Sequence, residues 1–182
     1  MLTTGVHHLQ ARILIHAPVE VCYKTWLDSS TLPKILRRVL GVEFKQPIQP
    51  IQLSVREVDS KVTTLKSDLV PTSLIKHWLF SGPGGKLYEV ENTVILEVPN
   101  RFYCTTSVDP NDISCQSSVL FSPDETNQNT LIEWNVSFWL NSPYGKATQL
   151  AADILETGDS FLDDCLEDLK SALEEGNSHR KK

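Results

Sequence analysis

The stretch HWLFSGPGGKLYEVENTVILEV, residues 77 to 98, reads either as a phosphate-binding loop or as a hairpin. A phosphate loop needs backbone N–H groups converging on an anion at a helix N-terminus, and its P-loop form needs Lys-Ser/Thr after the last glycine. Here Lys86 is followed by Leu87, and the residues beyond alternate. Tyr88, Val90, Asn92, Val94, Leu96 and Val98 share one parity, while Glu89, Glu91 and Glu97 lie on the other. Alternation with period 2 marks a half-buried strand. Between two strand-like runs, Gly-Pro-Gly-Gly turns the chain: glycine supplies positive φ and proline presets its own. The loop is a turn, and the strand after it is one of several.

Upstream, Leu9, Ala11, Ile13 and Ile15 form the apolar parity of a first strand from His7 to Ala17. Pro18 suits the first turn of a helix, where its missing N–H costs nothing, and Val21, Cys22, Trp26 and Leu27 follow at helical spacing. Pro33 allows a second short helix, PKILRRVL. From Val42 to Val70 the chain is strand-like but broken by Pro47, Pro50 and a VDSK turn. Downstream, turns at PN (99–100), DPND (109–112) and SPDETNQN (122–129) separate RFYCTTSV, ISCQSSVLF and TLIEWNVSFWL. In the last of these Ile132, Trp134, Val136, Phe138 and Leu140 form one face. Short strands joined by hairpin turns predict an antiparallel sheet with one dry face.

That face needs a cover. Between Tyr144 and Glu175, an apolar stripe of Ala151, Ile154, Leu155, Leu162, Cys165, Leu166, Leu169 and Leu173 repeats at helical spacing, flanked by acidic residues. A continuous helix here is about 45 Å long at ~1.5 Å per residue. Gly158 on the stripe marks either a kink or room above the sheet.

The 182 residues read as one α+β domain, with residues 176–182 a flexible tail. A net charge of −6 argues against a nucleic-acid footprint, and no apolar run approaches the ~20 residues of a membrane span. The widely spaced Cys22, Cys104, Cys115 and Cys165 read as reduced core thiols of a cytoplasmic protein. No HExxH, EF-hand or other metal-ligand spacing occurs, so neither metal nor cofactor is expected. The NVS at 135–137 lies inside a strand pattern and is discounted as a glycosylation site.

With these elements in order, the chain resembles the START-like (SRPBCC) superfamily, in particular its polyketide cyclase/dehydrase and coenzyme Q-binding-like members. The resemblance rests on ILIHAPVEVCYKTWLDSSTLP (13–33), HWLFSGPGGKLYEVENTVILEVPNRF (77–102), FSPDETNQNTLIEWNVSF and LEDLKSALEEG. It is weakest over 46–74, where the chain has extra length and two prolines. It implies the helix-grip (START-like, Bet v 1-like) fold: two short helices after the first strand, and a curved antiparallel sheet wrapped around a long C-terminal helix. It also implies a hydrophobic cavity between sheet and helix, holding lipids, quinones, isoprenoids or polyketides. The superfamily has no universal catalytic residue to carry over.

The expected cavity wall is Trp26, Trp78, Val90, Asn92, Cys104, Phe121, Trp134, Phe138, Ile154, Gly158 and Phe161. Large aromatics either fill such an interior or line a space within it. Asn92, on an apolar parity, is either satisfied by a neighbour or is a polar handle for a ligand. The gate is expected at Gly158 or at the proline-bearing loops near 47–50 and 71. Three functions stay open: a carrier or sensor of a small hydrophobic ligand, a cyclase or dehydratase using Asn92, His77 or Tyr88, and a protein-interaction module. The absence of an evident acid/base pair weighs against the enzyme. Oligomeric state is left open between monomer and dimer.

Overall fold

The structure is a computed structural model, and it describes residues 6–45, 75–108, 113–140, 146–157 and 160–178. The first strand, β1 (Val6–Ile15), leads into α1 (Val19–Leu27) and α2 (Leu32–Ile35). Val21 and Cys22 donate backbone hydrogen bonds to the Pro18 carbonyl at 3.0 and 3.2 Å, so the helix begins directly behind the proline. Asp28 ends α1 and organises the turn to α2. Its carboxylate accepts from the Ser30 and Thr31 hydroxyls, each at 2.6 Å, and from both backbone N–H groups. The Ser30 bond foremost, with those from Thr31, pulls its pKa down to about 2.

After α2 come β2 (Val39–Lys45), β3 (Ile75–Ser81), β4 (Leu87–Val98), β5 (Phe102–Val108), β6 (Ile113–Pro123) and β7 (Thr130–Leu140). All neighbours are antiparallel and the seven-stranded sheet runs β1-β7-β6-β5-β4-β3-β2. Residues 46–74 and the DPND turn lie outside the described residues. The second helix expected over PKILRRVL closes early, at Ile35, because Val39 and its neighbours are drawn into pairing with β3. The 81–86 loop is a tight turn, with Gly84 at φ 67° and Gly85 at φ 75°. That left-handed region is where a glycine is needed.

One parity expectation fails within β4. A register shift between Val94 and Leu96 inserts a bulge opposite β5. Beyond it the faces exchange, because one extra residue flips every later side chain. Leu96 and Val98 are 52% and 40% exposed. Glu97 turns towards α1 instead, and accepts a hydrogen bond from the Tyr23 hydroxyl.

The covering segment is two helices, α3 (Lys146–Thr157) and α4 (Phe161–Ser178). Gly158 itself lies outside the described residues, as do 179–182. Ser160 opens α4: its carbonyl accepts from Asp164 N–H at 2.8 Å and its hydroxyl bonds the Asp164 carboxylate at 3.1 Å. Most of the stripe is buried, with Ala151 and Ile154 on α3 and Leu162, Cys165, Leu166 and Leu169 on α4, while Leu155 and Leu173 are half-buried. Lys170 donates to the Leu14 carbonyl at 2.7 Å and Glu174 accepts from His16 N–H at 2.9 Å, tying α4 to β1. The core under it joins Ile15, Trp26, Leu36, Val119, Ile132 and Leu166 in one cluster. All four cysteines are buried and unpaired.

Candidate functional site

Between the concave face of the sheet and α3/α4 lies a partly open cavity of about 120 Å³. This is of the order of an engineered apolar cavity of about 150 Å³ that takes up benzene. The inward parities of five strands supply its walls. From β3 come Trp78 and Phe80, from β4 Val90 and Asn92, from β5 Tyr103 and Thr105, from β6 Cys115, Ser117 and Val119, and from β7 Trp134, Val136 and Phe138. Leu9 of β1 and Trp26 of α1 complete that side, and Ala151, Ile154, Phe161 and Leu162 form the roof. The question left by the aromatics is therefore answered both ways: they fill much of the interior and line what remains. Trp26 stands edge-on to Trp134 at 5.0 Å between centroids, and Phe80 edge-on to Phe161 at 5.3 Å. These are preferred geometries for π systems, and they hold the walls in place.

Of the residues expected at the wall, the structure brings together Trp26, Trp78, Val90, Asn92, Trp134, Phe138, Ile154 and Phe161. Cys104 and Phe121 are buried but not there. Cys104 has the parity opposite to Tyr103 and Thr105, and receives Gln116 Nε2 at 3.5 Å on the outer face. Phe121 has the inward parity but sits further along β6, where Tyr23 of α1 covers it edge-on at 5.4 Å. Gly158 and the loops at 47–50 and 71, expected as the gate, lie outside the described residues. His77 points to the outer parity of β3, with Nε2 3.6 Å from the Glu89 carboxylate. Tyr88 donates to Asp153 rather than facing the cavity with its hydroxyl.

The wall is apolar apart from a few groups. Trp134 Nε1 donates to Ser117 Oγ at 2.9 Å and is satisfied. Asn92 is buried; its Oδ1 has a long contact of 3.7 Å from Cys115 Sγ, and its amide N–H groups have no hydrogen-bond partner among the described residues. Burial pushes the Cys115 thiol up to about 11 and holds Tyr103 protonated well above its ordinary range. At neutral pH both are neutral hydrogen-bonding groups.

Sequence reasoning missed Lys76. It is fully buried, and its Nζ lies 4.1 Å from the centroid of Trp78, 5.3 Å from that of Tyr103 and 5.7 Å from that of Trp26. Such distances are those of cation–π contacts. Desolvation lowers its pKa from 10.5 to about 7. The signal was present: Lys76 shares the parity of Trp78 and Phe80, so the alternation that turns those two inward turns the lysine inward as well.

The SGPGGK turn has a structural task at the rim. It presents Lys86, whose Nζ meets Asp153 Oδ2 of α3 at 2.9 Å, while Tyr88 donates to the same oxygen at 2.8 Å. The Lys86 hydrogen bond, then that of Tyr88, lowers the Asp153 pKa. One carboxylate thus clamps α3, and with it Ala151 and Ile154, over the cavity. Among the described residues no cluster of His, Cys, Asp or Glu is grouped to hold a metal, and no helix is long and apolar enough to cross a membrane.

No protein-family profile and no curated protein matches the sequence. Solved structures do match in fold. Zhui aromatase/cyclase from Streptomyces sp. R1128 aligns at a TM-score of 0.63 and 11% identity, over 93% of this chain and 94% of the other. Ginseng major latex-like protein 151 from Panax ginseng aligns at 0.59 and 11%, over 92% and 97%. A START superfamily protein from Mycobacterium smegmatis aligns at 0.58 and 13%, over 93% and 98%. The chain therefore has the START-like, Bet v 1-like helix-grip fold, and the resemblance read from its motifs holds at the level of architecture.

Proposed function

We propose that the protein binds a small hydrophobic ligand in the cavity between the sheet and α3/α4. The observation that carries this reading is the wall itself: apolar and aromatic over most of its extent, with the Asn92 amide buried there and its N–H donors unpaired among the described residues. Small-molecule sites combine these two features, an apolar enclosure and a few polar groups that fix orientation. Binding is driven by desolvation, at about 0.8 kcal/mol per buried CH₂. The size of the cavity favours one ring or a short chain segment; a longer lipid, quinone or isoprenoid extends through the partly open side. Ligand enters past α3 when the Asp153 clamp opens.

A polyketide cyclase or dehydratase takes the same enclosure, and Zhui, one of the structures that share the fold, is an aromatase/cyclase. Such chemistry needs a proton donor and acceptor near neutral pH. The titratable side chains lining this wall among the described residues are Tyr103 and Cys115, both pushed the other way; Lys76, with a pKa of about 7, lies behind the aromatic layer rather than on the wall itself. Carrier or sensor is the better-supported role. Native mass spectrometry of the protein from its own cells, followed by denaturing extraction, tests it. A stoichiometric adduct that leaves on denaturation and is apolar supports the reading; a purely polar adduct contradicts it.

A further inference from the structure

We propose that Lys76 captures a carbonyl-bearing ligand covalently, as an imine, at the inner wall of the cavity. The inference rests on the ligand-binding reading above and adds the functional group that the ligand carries: an aldehyde or an unhindered ketone.

Three observations point to it. The first is placement: Lys76 is on the inward parity of β3, directly across from Asn92 on β4, and the three rings around its Nζ all line the cavity. The amine is one aromatic layer from the ligand space, so a turn of Trp78 or Tyr103 admits a carbonyl carbon to it. The second is the neighbouring donors. Trp26 Nε1 and the Tyr103 hydroxyl are both fully buried without a hydrogen-bond partner among the described residues. Buried donors of this kind call for an acceptor, and the oxygen of a carbonyl is an acceptor that brings its carbon towards the amine. The third is the state of the nucleophile. A lysine desolvated in an apolar site is an activated amine. Its pKa near 7 leaves it about half neutral at pH 7, against less than a thousandth for an ordinary exposed lysine.

The chemistry is balanced without a co-reactant. The Nζ lone pair attacks the carbonyl carbon, and the oxygen takes up one amine hydrogen to give a carbinolamine, for whose oxygen the Tyr103 hydroxyl and Trp26 Nε1 are the donors this proposal assigns. The C–O bond then breaks as the C=N bond forms, and the oxygen departs with the second amine hydrogen as water. The step is reversible, so a ligand held this way is released by hydrolysis once water reaches the imine.

The test uses the full chain and two probes of cavity size, toluene and benzaldehyde. Toluene titration followed by NMR of the Val90, Val136 and Ile154 methyls reads the cavity alone. Benzaldehyde with cyanoborohydride at pH 7, followed by peptide mapping, reads the imine as a benzyl group fixed on nitrogen. The proposal expects benzylation of Lys76 at least tenfold faster than of any exposed lysine, and suppression of that labelling by saturating toluene. Lys76→Arg should still bind toluene and lose the label. Toluene binding with Lys76 labelled no faster than surface lysines overturns the imine and leaves the cavity reading standing. No toluene binding overturns both.

Discussion

Replacing Lys76 by Met keeps an apolar stem of similar length and removes the titrating amine. In the native chain that amine is 0% exposed, and desolvation brings its pKa to about 7. In the unfolded chain a lysine keeps its proton to about 10.4. Between these values the unfolded state binds more protons than the native one, so this residue makes stability rise with pH. Each unit is worth about 1.4 kcal/mol when one proton separates the two states. Because the amine is only half protonated at pH 7, the wild type gains on the order of 1–2 kcal/mol relative to Lys76→Met between pH 7 and 8.5. Above that range the thiols act in the opposite sense. Burial holds Cys115 and Cys165 protonated up to about 11 and 12, whereas unfolded thiols ionise near 8.5, so stability falls. Both proteins share that loss, and it cancels in the difference. Urea unfolding of the two proteins, followed by tryptophan fluorescence at four pH values from 6 to 8.5, gives the quantity directly. Lys76→Met should be the more stable at pH 6, with its advantage flat below that pH and shrinking above pH 7. A difference constant across the whole interval refutes the reasoning, because it means that the native amine keeps its proton.

Three further outcomes are expected. Asn92→Leu should weaken a ligand with a carbonyl or hydroxyl head by about tenfold and leave toluene within twofold, measured by calorimetry; equal losses remove Asn92 as the polar handle. Ala151→Phe should fill the roof and abolish toluene binding by NMR at a stability cost of about 1–3 kcal/mol; undiminished binding moves the ligand elsewhere. Asp153→Asn should speed hydrogen exchange of the α3 amides at pH 7. The lowered Asp153 pKa means that its contribution is present above the unfolded carboxyl value and lost as pH falls through the folded one, so the difference between wild type and variant should shrink as pH falls below the ordinary carboxyl range. Identical exchange at pH 7 removes the clamp.

Much of the fold is legible in the sequence because strand parity and helical spacing are local. β7 follows from Thr130–Leu140 alone, and the buried stripe of α3 and α4 from its 3.6-residue period. What escapes is set by pairing between strands. Nothing in TVILEV announces the bulge at Val94/Leu96, which depends on the register with β5 and turns Glu97 towards Tyr23. Cys104 and Phe121 fail for related reasons. The parity of β5 is ambiguous in RFYCTTSV, and Phe121 is excluded from the cavity by α1, a helix distant in sequence. Lys76 was hidden by its type. A lysine in a strand is read as solvated, whereas a lysine alternating with Trp78 and Phe80 belongs to their face. The polar wall residues Tyr103, Thr105 and Ser117 likewise become visible once three strands are laid side by side in register.

The most direct test of the central claim is a crystal structure determined under xenon pressure. An apolar enclosure takes up xenon where a polar or filled one does not. The account predicts xenon between Trp78, Val90, Phe138 and Ile154 in the wild type, and its loss in Ala151→Phe. Absence of xenon there, with ordered water at Asn92 and Thr105 in its place, would contradict a hydrophobic ligand site.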